Sequence, residues 1–134
     1  MFSVFKKIFA ISKKDLTQDS FLNQDYSEFQ GLFGKDFEFL LEGDFSFKDS
    51  EFDLIMTPDS LKWEKIYRND WAYYKVGNDQ FSYSLEPPGY QMTFNEEISF
   101  DKALIIAKEI INKIKQKKKK VKLVVFKSGD IYSY

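Results

Sequence analysis

Cysteine and histidine are both absent from this chain of 134 residues. Without cysteine there is no disulfide and no thiolate chemistry. Without histidine the chain lacks the commonest general base and the commonest zinc ligand. Catalytic groups of the Ser-His-Asp and Cys-His types are therefore excluded, and we expect no metal site and no cofactor. No catalytic motif stands in their place, so we predict a protein that is not an enzyme; a hydrolase built from carboxylates far apart in the chain stays open as an alternative.

Proline, glycine and long apolar runs are also scarce. The chain has three prolines and six glycines, and no stretch is long and apolar enough to span a bilayer. Hydrophobic residues make up 43% and charged residues 31%, as in ordinary soluble domains. These values predict one folded domain over residues 1–134, in a cytoplasmic setting. Aromatic residues are in excess at 19%, with 15 phenylalanines, and large rings allow a core to be built from few residues.

The net charge of −1 hides an uneven distribution along the chain. Residues 1–14 carry four lysines and no acid, and residues 102–134 carry ten lysines and two acids. Between them, residues 15–101 carry 19 acidic and six basic side chains, a net charge of −13. An acidic body with two basic ends favours a basic binding partner.

An aromatic meander over residues 62–95 is the most regular part of the sequence. Four runs rich in aromatic and β-branched residues are separated by turn residues at 69–70, 77–79 and 87–89. In the last two runs apolar and polar residues alternate, which predicts antiparallel strands with one face toward the core. The apolar positions of that face are Phe81, Tyr83, Leu85, Tyr90, Met92 and Phe94.

An amphipathic helix is predicted over about residues 99–116, directly after the meander. Acidic residues lie near its start and lysines near its end, as the helix dipole prefers. Ile105 is the exception, because it projects from the polar side and is expected either to meet another element or to lie exposed. The predicted apolar arc consists of Phe100, Ala103, Leu104, Ile106, Ala107, Ile110, Ile111 and Ile114.

Shorter strand patterns complete the predicted fold. Apolar residues alternate with acids or other polar residues around 37–39, 45–47 and 51–57. Residues 121–126 form a nearly continuous apolar run, which predicts a strand covered on both faces, and 131–134 a short final strand. The predicted fold class is α+β, a mostly antiparallel sheet of about six strands with the helix packed on one face.

The two N-terminal segments are less regular. Residues 1–14 have the pattern of a basic amphipathic helix, with phenylalanines and isoleucines on one side and lysines on the other. Its apolar side is expected to pack on the domain's own sheet; the alternative is a membrane surface with anionic lipid, which would make this a peripheral membrane protein. Residues 15–35 are predicted as a short helix plus loop, since Gly31 and Gly34 interrupt any longer helix.

Three acids, Asp49, Glu51 and Asp53, are spaced by two residues, so a strand would place them on one side. An EF-hand loop is excluded, because Leu54 occupies the position that requires glycine. A phosphate loop at residues 31–35 is also excluded, because the spacing of its glycines is shorter than the Walker motif requires. A solvated outer face is the simplest interpretation, and contact with a basic partner suits the acidic body better than a metal does.

The leading functional hypothesis is a small inhibitor or immunity-type protein that binds a basic partner, such as a nuclease-like toxin, without catalysis. It rests on the exclusion of catalytic chemistry, on the charge, and on a surplus of Trp and Tyr near acids, which is typical of protein-binding hot spots. The residues predicted to contact the partner are Asp49, Glu51, Asp53, Trp63, Tyr67, Asp70, Trp71, Tyr73 and Asp79. 

Nucleic-acid binding is the other alternative. The lysine-rich stretch over residues 113–122 has the charge to follow a phosphate backbone. However, the chain contains one arginine, and the acidic body would repel a polyanion.

Overall fold

The computed structural model describes residues 26–128. The helix expected over residues 1–14, with its alternatives, and the strand expected over 131–134 lie outside the described residues. Within residues 15–35, the described part contains a 3-10 helix at Ser27–Phe29. 

The described residues form six strands and two α-helices. One strand and one α-helix come before the four strands of the meander. The strands form one sheet, and the helices are separated in the chain by four consecutive strands. The elements in chain order are β1 (Phe37–Glu42), α1 (Asp49–Met56), β2 (Glu64–Arg68), β3 (Trp71–Val76), β4 (Asp79–Glu86), β5 (Gly89–Phe94), α2 (Phe100–Gln116) and β6 (Lys122–Lys127).

The sheet has the strand order β2-β3-β4-β5-β1-β6. Every neighbouring pair is antiparallel, so the predicted α+β class with an antiparallel sheet of about six strands is confirmed. The meander supplies β2 to β5 as consecutive neighbours, because short turns join antiparallel strands directly. β1 lies between β5 and β6, which leaves β2 and β6 as the two outer strands.

The register of β4 and β5 places their apolar residues on one face, as predicted. Phe81 is opposite Phe94, and Tyr83 is opposite Met92. Directly paired residues share a face, and all four of these lie in or against the core. Leu85 pairs with Tyr90 on the same face but is 67% exposed, because it lies at the end of β4 beside the turn.

Helix α2 closes this face of the sheet. Ser99 caps it, since its hydroxyl oxygen accepts a hydrogen bond from the backbone N–H of Lys102 at 3.2 Å. The eight buried residues of α2 are the eight of the predicted apolar arc, and Ile105 is exposed. Phe100 at the start of the helix packs edge-on against Phe37 and Phe39, with ring centroids 5.2 and 5.8 Å apart.

The prediction of a strand over residues 51–57 is wrong, because Asp49–Met56 form helix α1. Phe52, Ile55 and Met56 are three and four residues apart, so they also fit a helical stripe, and Ile55 and Met56 are buried. Over eight residues both periods fit the sequence, and burial against the sheet decides between them. Residues 45–47 form no strand either; Phe45 is buried beside Tyr90 instead, with ring centroids 5.6 Å apart.

The outer strand β6 is buried on both faces, as its apolar run predicts. Leu123 belongs to the core cluster beneath α2, whereas Val124 and Phe126, of opposite parity, are buried on the other face. Leu40 of β1 pairs with Val124 and is also fully buried. Glu38 lies two residues before Leu40 on this face, and burial, followed by the charge of Glu86, raises its pKa to about 7.

Candidate partner-binding surface

A cleft of about 310 Å³ lies between helix α1 and strands β2 and β3. We call it the α1–β2 cleft. Both strands are at the exposed end of the sheet, where α2 no longer covers the aromatic residues. Its walls come from α1 and from the loop that leads into β2, and its floor from the strands. The lining residues are Asp53, Leu54, Thr57, Asp59, Trp63, Lys65 and Tyr74.

Asp53 is the polar centre of the cleft. Its carboxylate accepts a hydrogen bond of 2.7 Å from the Tyr74 hydroxyl and contacts of 3.0 Å from the Lys65 ammonium to both oxygens. Burial alone would raise the pKa of Asp53, but the hydrogen bonds from Tyr74 and Lys65 outweigh it and lower that pKa. Burial, and then the hydrogen bond to Asp53, raises the pKa of Tyr74, so the hydroxyl stays a donor at neutral pH.

The loop after α1 is fastened to α2. Lys113 donates to the carbonyl of Thr57 at 2.6 Å and forms an ion pair of 3.0 Å with Asp59. The Glu109 carboxylate accepts the backbone N–H groups of Asp59 and Ser60, the latter at 3.0 Å. Because these bonds reach from one helix to the wall of the cleft, the cleft is held in one shape before any partner binds.

Exposed apolar side chains lie at or near this opening. Leu54 lines it and is 72% exposed, and Tyr67, on the same face of β2 as Lys65, is 65% exposed. Leu61, in the loop that leads into β2, is 57% exposed. Beneath them Trp63 packs edge-on against Phe81, with ring centroids 5.1 Å apart. The Trp63 Nε1 is buried, and none of the described residues accepts a hydrogen bond from it. The rim is thus apolar and exposed, whereas the floor is aromatic and packed.

The structure brings together some of the predicted contact residues. Asp53 and Trp63 line the cleft, and Tyr67 lies beside it, with the Lys65 ammonium 5.4 Å from its ring centroid. Asp49 lies one helical turn before Asp53 on the same flank of α1. Glu51 is rotated to another side, so the prediction that the three acids share one side is wrong, because the segment is a helix.

The other predicted contact residues lie elsewhere. Trp71 pairs with Arg68, and Tyr73 with Ile66, which places both rings on the face of the sheet opposite Tyr67 and Tyr74. Tyr73 is covered by Arg68, whose guanidinium carbon is 5.3 Å from the ring centroid. 

Two predicted acids are separated from the cleft. Asp70 is exposed in the β2–β3 turn, with a φ of 66°. Asp79 forms an ion pair of 2.9 Å with Lys102 of α2, at the far end of β3 and β4. The predicted site is therefore split over two faces and two ends of the sheet.

Sequence reasoning missed Leu54, Leu61 and Tyr74 as parts of this surface. A strand over residues 51–57 would place Leu54 on the same face as Phe52 and Met56; helical periodicity over Asp49–Met56 places it outward. Leu61 stands alone among polar residues, a pattern that carries no information about its neighbours in space. Tyr74 alternates with Tyr73, and only the strand register decides which of the two rings meets Asp53.

Two negative findings apply to residues 26–128 alone. This part of the chain contains no group of three or more His, Cys, Asp or Glu side chains placed to hold a metal ion. Neither of its helices has the length and apolar character needed to cross a membrane. 

Comparison with known proteins adds no family, since no family model, no curated protein sequence and no solved structure matches this chain. The functional inference therefore rests on the surface itself.

Proposed function

We propose that this protein is a non-enzymatic binding module, a small inhibitor of immunity type that neutralises a basic partner such as a nuclease-like toxin. The observation that carries the proposal is the α1–β2 cleft, which is lined by exposed Leu54 and by the Trp63 and Tyr74 rings, with exposed Tyr67 beside it on the Lys65 face of β2. Large apolar side chains gathered around a preformed opening are the common anatomy of a protein-binding hot spot.

The apolar part of the surface supplies the binding energy. Tyr67 and Leu54 protrude from a strand and a helix, so their backbones are already ordered before a partner covers them. Their removal from water favours the complex in proportion to the apolar area covered.

The acidic part of the surface supplies the attraction at long range. Asp53 and Asp59 are already paired with Lys65 and Lys113, so the cleft itself is close to neutral. The excess negative charge lies outside it, on exposed acids such as Asp49 one helical turn before Asp53 and Asp70 in the β2–β3 turn, within a body that carries −13 over residues 15–101. Charges at the edge of an interface mainly accelerate association, whereas the packed centre governs dissociation.

The experiment is capture of the partner with the full chain, followed by kinetics on the purified complex. We expect a basic protein whose association slows steeply as salt rises. Leu54→Ala and Tyr67→Ala should each raise the dissociation rate at least tenfold, since each removes a contact at the centre. Ile105→Ala is the control, because Ile105 is 62% exposed on α2 but is not among the residues that line the cleft.

Other outcomes identify the alternatives. Recovery of nucleic acid alone would favour the lysine-rich stretch, in which Lys117 to Lys120 are exposed whereas Lys113 and Lys122 are engaged in ion pairs. Salt-sensitive co-sedimentation with anionic vesicles that is lost on deletion of residues 1–14 would favour the peripheral membrane protein. An acidic partner, or a basic one whose dissociation is unchanged by both cleft variants, would overturn the proposal.

A further inference from the structure

The sheet has a second face, opposite α2, that carries a separate apolar patch. Leu40 of β1 lies beside Val124 of β6 on this face, and Phe126 lies two residues further along β6. The side chains of these three residues are 0 to 3% exposed. They are the buried hydrophobic residues of the described chain that do not belong to the core cluster. We call them the β1–β6 patch.

No described element outside the sheet covers this patch. Helices α1 and α2 and the 3-10 helix at Ser27–Phe29 bury their apolar residues in the core cluster, on the other face. Over β5 the second face is open, since Thr93 is exposed there. A side chain on an uncovered sheet face stays partly in water. The burial of the β1–β6 patch therefore requires a cover from outside residues 26–128.

Carboxyl groups border the patch on this face. Glu38 and Glu42 lie on either side of Leu40 along β1, and the register places Glu86 of β4 on the same face. Burial, and then the charge of Glu86, raises the pKa of Glu38, as expected for a carboxyl group that is withdrawn from water. One oxygen of Glu42 pairs with Lys122 at 3.0 Å, whereas its Oε2 is buried and accepts no hydrogen bond from any described residue. A suitable cover is therefore apolar at its centre and has hydrogen-bond donors at its edge.

Residues 1–14 have the complementary pattern. In a helix, six apolar side chains of this segment would share one side, and its four lysines would lie on the other side with no acid among them. Such a helix is about 21 Å long, which matches a strand of six residues such as β1. A lysine at the edge of the helix can lay its stem on the apolar surface and reach a carboxylate beside it. The six apolar residues are Phe2, Val4, Phe5, Ile8, Phe9 and Ile11.

The connecting chain is long enough to bring this segment to the second face. Tyr26, where the described residues begin, contacts Phe100 at the start of α2, with ring centroids 5.9 Å apart. Packed layers lie about 10 Å apart, so passing from the layer of α2 to a layer on the second face takes roughly 20 Å. The chain over residues 15–25 spans up to roughly 36 Å when it is extended.

We propose that residues 1–14 form an amphipathic helix that packs on the β1–β6 patch, with its apolar side on Leu40, Val124 and Phe126 and a lysine at its edge on Glu42. The sheet then lies between two helical layers, α2 on one face and this helix on the other. The apolar side of the segment is thereby withdrawn from any membrane surface. The assignment does not rest on the proposed function, because the α1–β2 cleft lies on the α2 face of the sheet.

The test places single cysteines in the full chain, which has none of its own. We expect the thiol of Val124→Cys to react with a maleimide at least about tenfold more slowly than that of Thr93→Cys, an exposed position on the same face. Adding Ile8→Asp, at the centre of the apolar side of residues 1–14, should accelerate the reaction of Val124→Cys at least about tenfold. Ala10→Asp, which adds the same charge on the opposite side, should leave that reaction slow.

A cross-linking measurement covers the case in which Ile8→Asp opens the whole fold. Met92→Cys, fully buried in the core cluster, reports that case, and we expect it to stay unreactive beside Ile8→Asp. If it reacts, the cross-link decides. In the otherwise unchanged chain, a short bis-maleimide should join Ile8→Cys to Val124→Cys within one molecule. It should join Ala10→Cys to Val124→Cys much more slowly, because Ala10 lies on the opposite side of the helix.

Three outcomes would each overturn the proposal and identify another cover. Cross-links between molecules that carry Val124→Cys alone would assign the β1–β6 patch to a second copy of the chain. Protection of Val124→Cys that requires phosphatidylglycerol vesicles would assign the patch to a membrane surface. A thiol that stays protected beside Ile8→Asp, with no cross-link from Ile8→Cys, would leave residues 15–25 or 129–134 as the cover.

Discussion

The two outer strands of the sheet differ in how many of their side chains are buried. Strand β2 has no buried residue, although it carries Ile66 and Tyr67, whereas β6 buries Leu123, Val124 and Phe126 on its two faces. Both strands have a free edge of backbone N–H and C=O groups among the described residues. Burial on both faces makes β6 part of the core, while β2 is joined to the sheet through β3 alone.

The difference separates the residues that hold the fold from those that are available for binding. At the β2 end, charged Glu64, Lys65 and Arg68 protect the open edge against pairing with other chains. At this end Tyr67 and Trp71 are exposed, whereas Tyr74 belongs to the core. We therefore expect substitutions near β1 and β6 to lower the free energy of unfolding. Substitutions of the same type near β2 should affect partner binding instead.

The largest expected effect is in the core beneath α2. Ile110→Asp places a charge in the fully buried stripe of the helix, so we expect a loss of about 4 kcal/mol or more in the free energy of unfolding. Asn112→Asp, two residues further and exposed, should change it by less than about 0.5 kcal/mol. Urea unfolding followed by circular dichroism measures both. Similar losses in the two variants would show that the faces of α2 are misassigned.

A matched pair of Leu→Ala substitutions compares the two ends of the sheet directly. Leu40 is fully buried between β5 and β6, so Leu40→Ala should cost about 3 kcal/mol. Leu54 is exposed at the α1–β2 cleft, so Leu54→Ala should cost less than about 0.5 kcal/mol. The same urea transitions give both values, and a cost at Leu54 close to that at Leu40 would abolish the distinction between the ends.

Glu38 of β1 makes the free energy of unfolding depend on pH. Because burial and the charge of Glu86 raise its pKa from 4.5 to about 7, the folded state binds the proton more tightly than the unfolded state. The free energy of unfolding therefore falls as pH rises between those values, and the cost is complete above the folded pKa. Glu38→Gln should be more stable than the wild type by about 2 kcal/mol at pH 8, after allowance for partial exposure, and equal to it near pH 4.

The measurement is the free energy of unfolding of both proteins across this pH range. Glu96→Gln, an exposed acid after β5, is the control and should follow the wild type. A Glu38→Gln variant that loses stability at high pH would mean that Glu38 is charged and paired in the folded protein.

Asp53 is expected to have the smallest effect, with the opposite sign. Its pKa is lowered in the folded protein, so its contribution is present above the ordinary value of 3.8 and is lost as pH falls through the folded pKa. The side chain is 47% exposed, so Asp53→Asn should cost only about 0.5 kcal/mol at neutral pH. The difference from wild type should vanish at about pH 2. A cost near that of Leu40→Ala would place Asp53 among the residues that hold the fold.

Much of the fold follows from local periodicity. The meander can be predicted because each strand is bounded by turn residues. The apolar arc of α2 can be predicted because seventeen residues give several turns of a 3.6-residue repeat. The segment Asp49–Met56 is too short for its periodicity to distinguish a helix from a strand, since both patterns fit eight residues. Its contacts with Tyr83 and α2 favour the helix. 

The candidate surface is less accessible to sequence reasoning. Asp53, Trp63 and Tyr67 were predicted, but Trp71 and Tyr73 lie on the other face, because strand register rather than composition assigns a ring to a face. The partners of Asp59 on α2 are 50 and 54 residues distant in the chain, so no local pattern indicates them.

The central claim is that the exposed end of the sheet binds a partner without stabilising the fold. It is tested most directly by measuring, for Tyr67→Ala, both the free energy of unfolding and the dissociation rate of the captured basic partner. We expect the free energy of unfolding to change by less than about 0.5 kcal/mol and dissociation to accelerate at least tenfold, with Ile105→Ala changing neither. A Tyr67→Ala variant that unfolds more easily but releases the partner at the wild-type rate would contradict the claim.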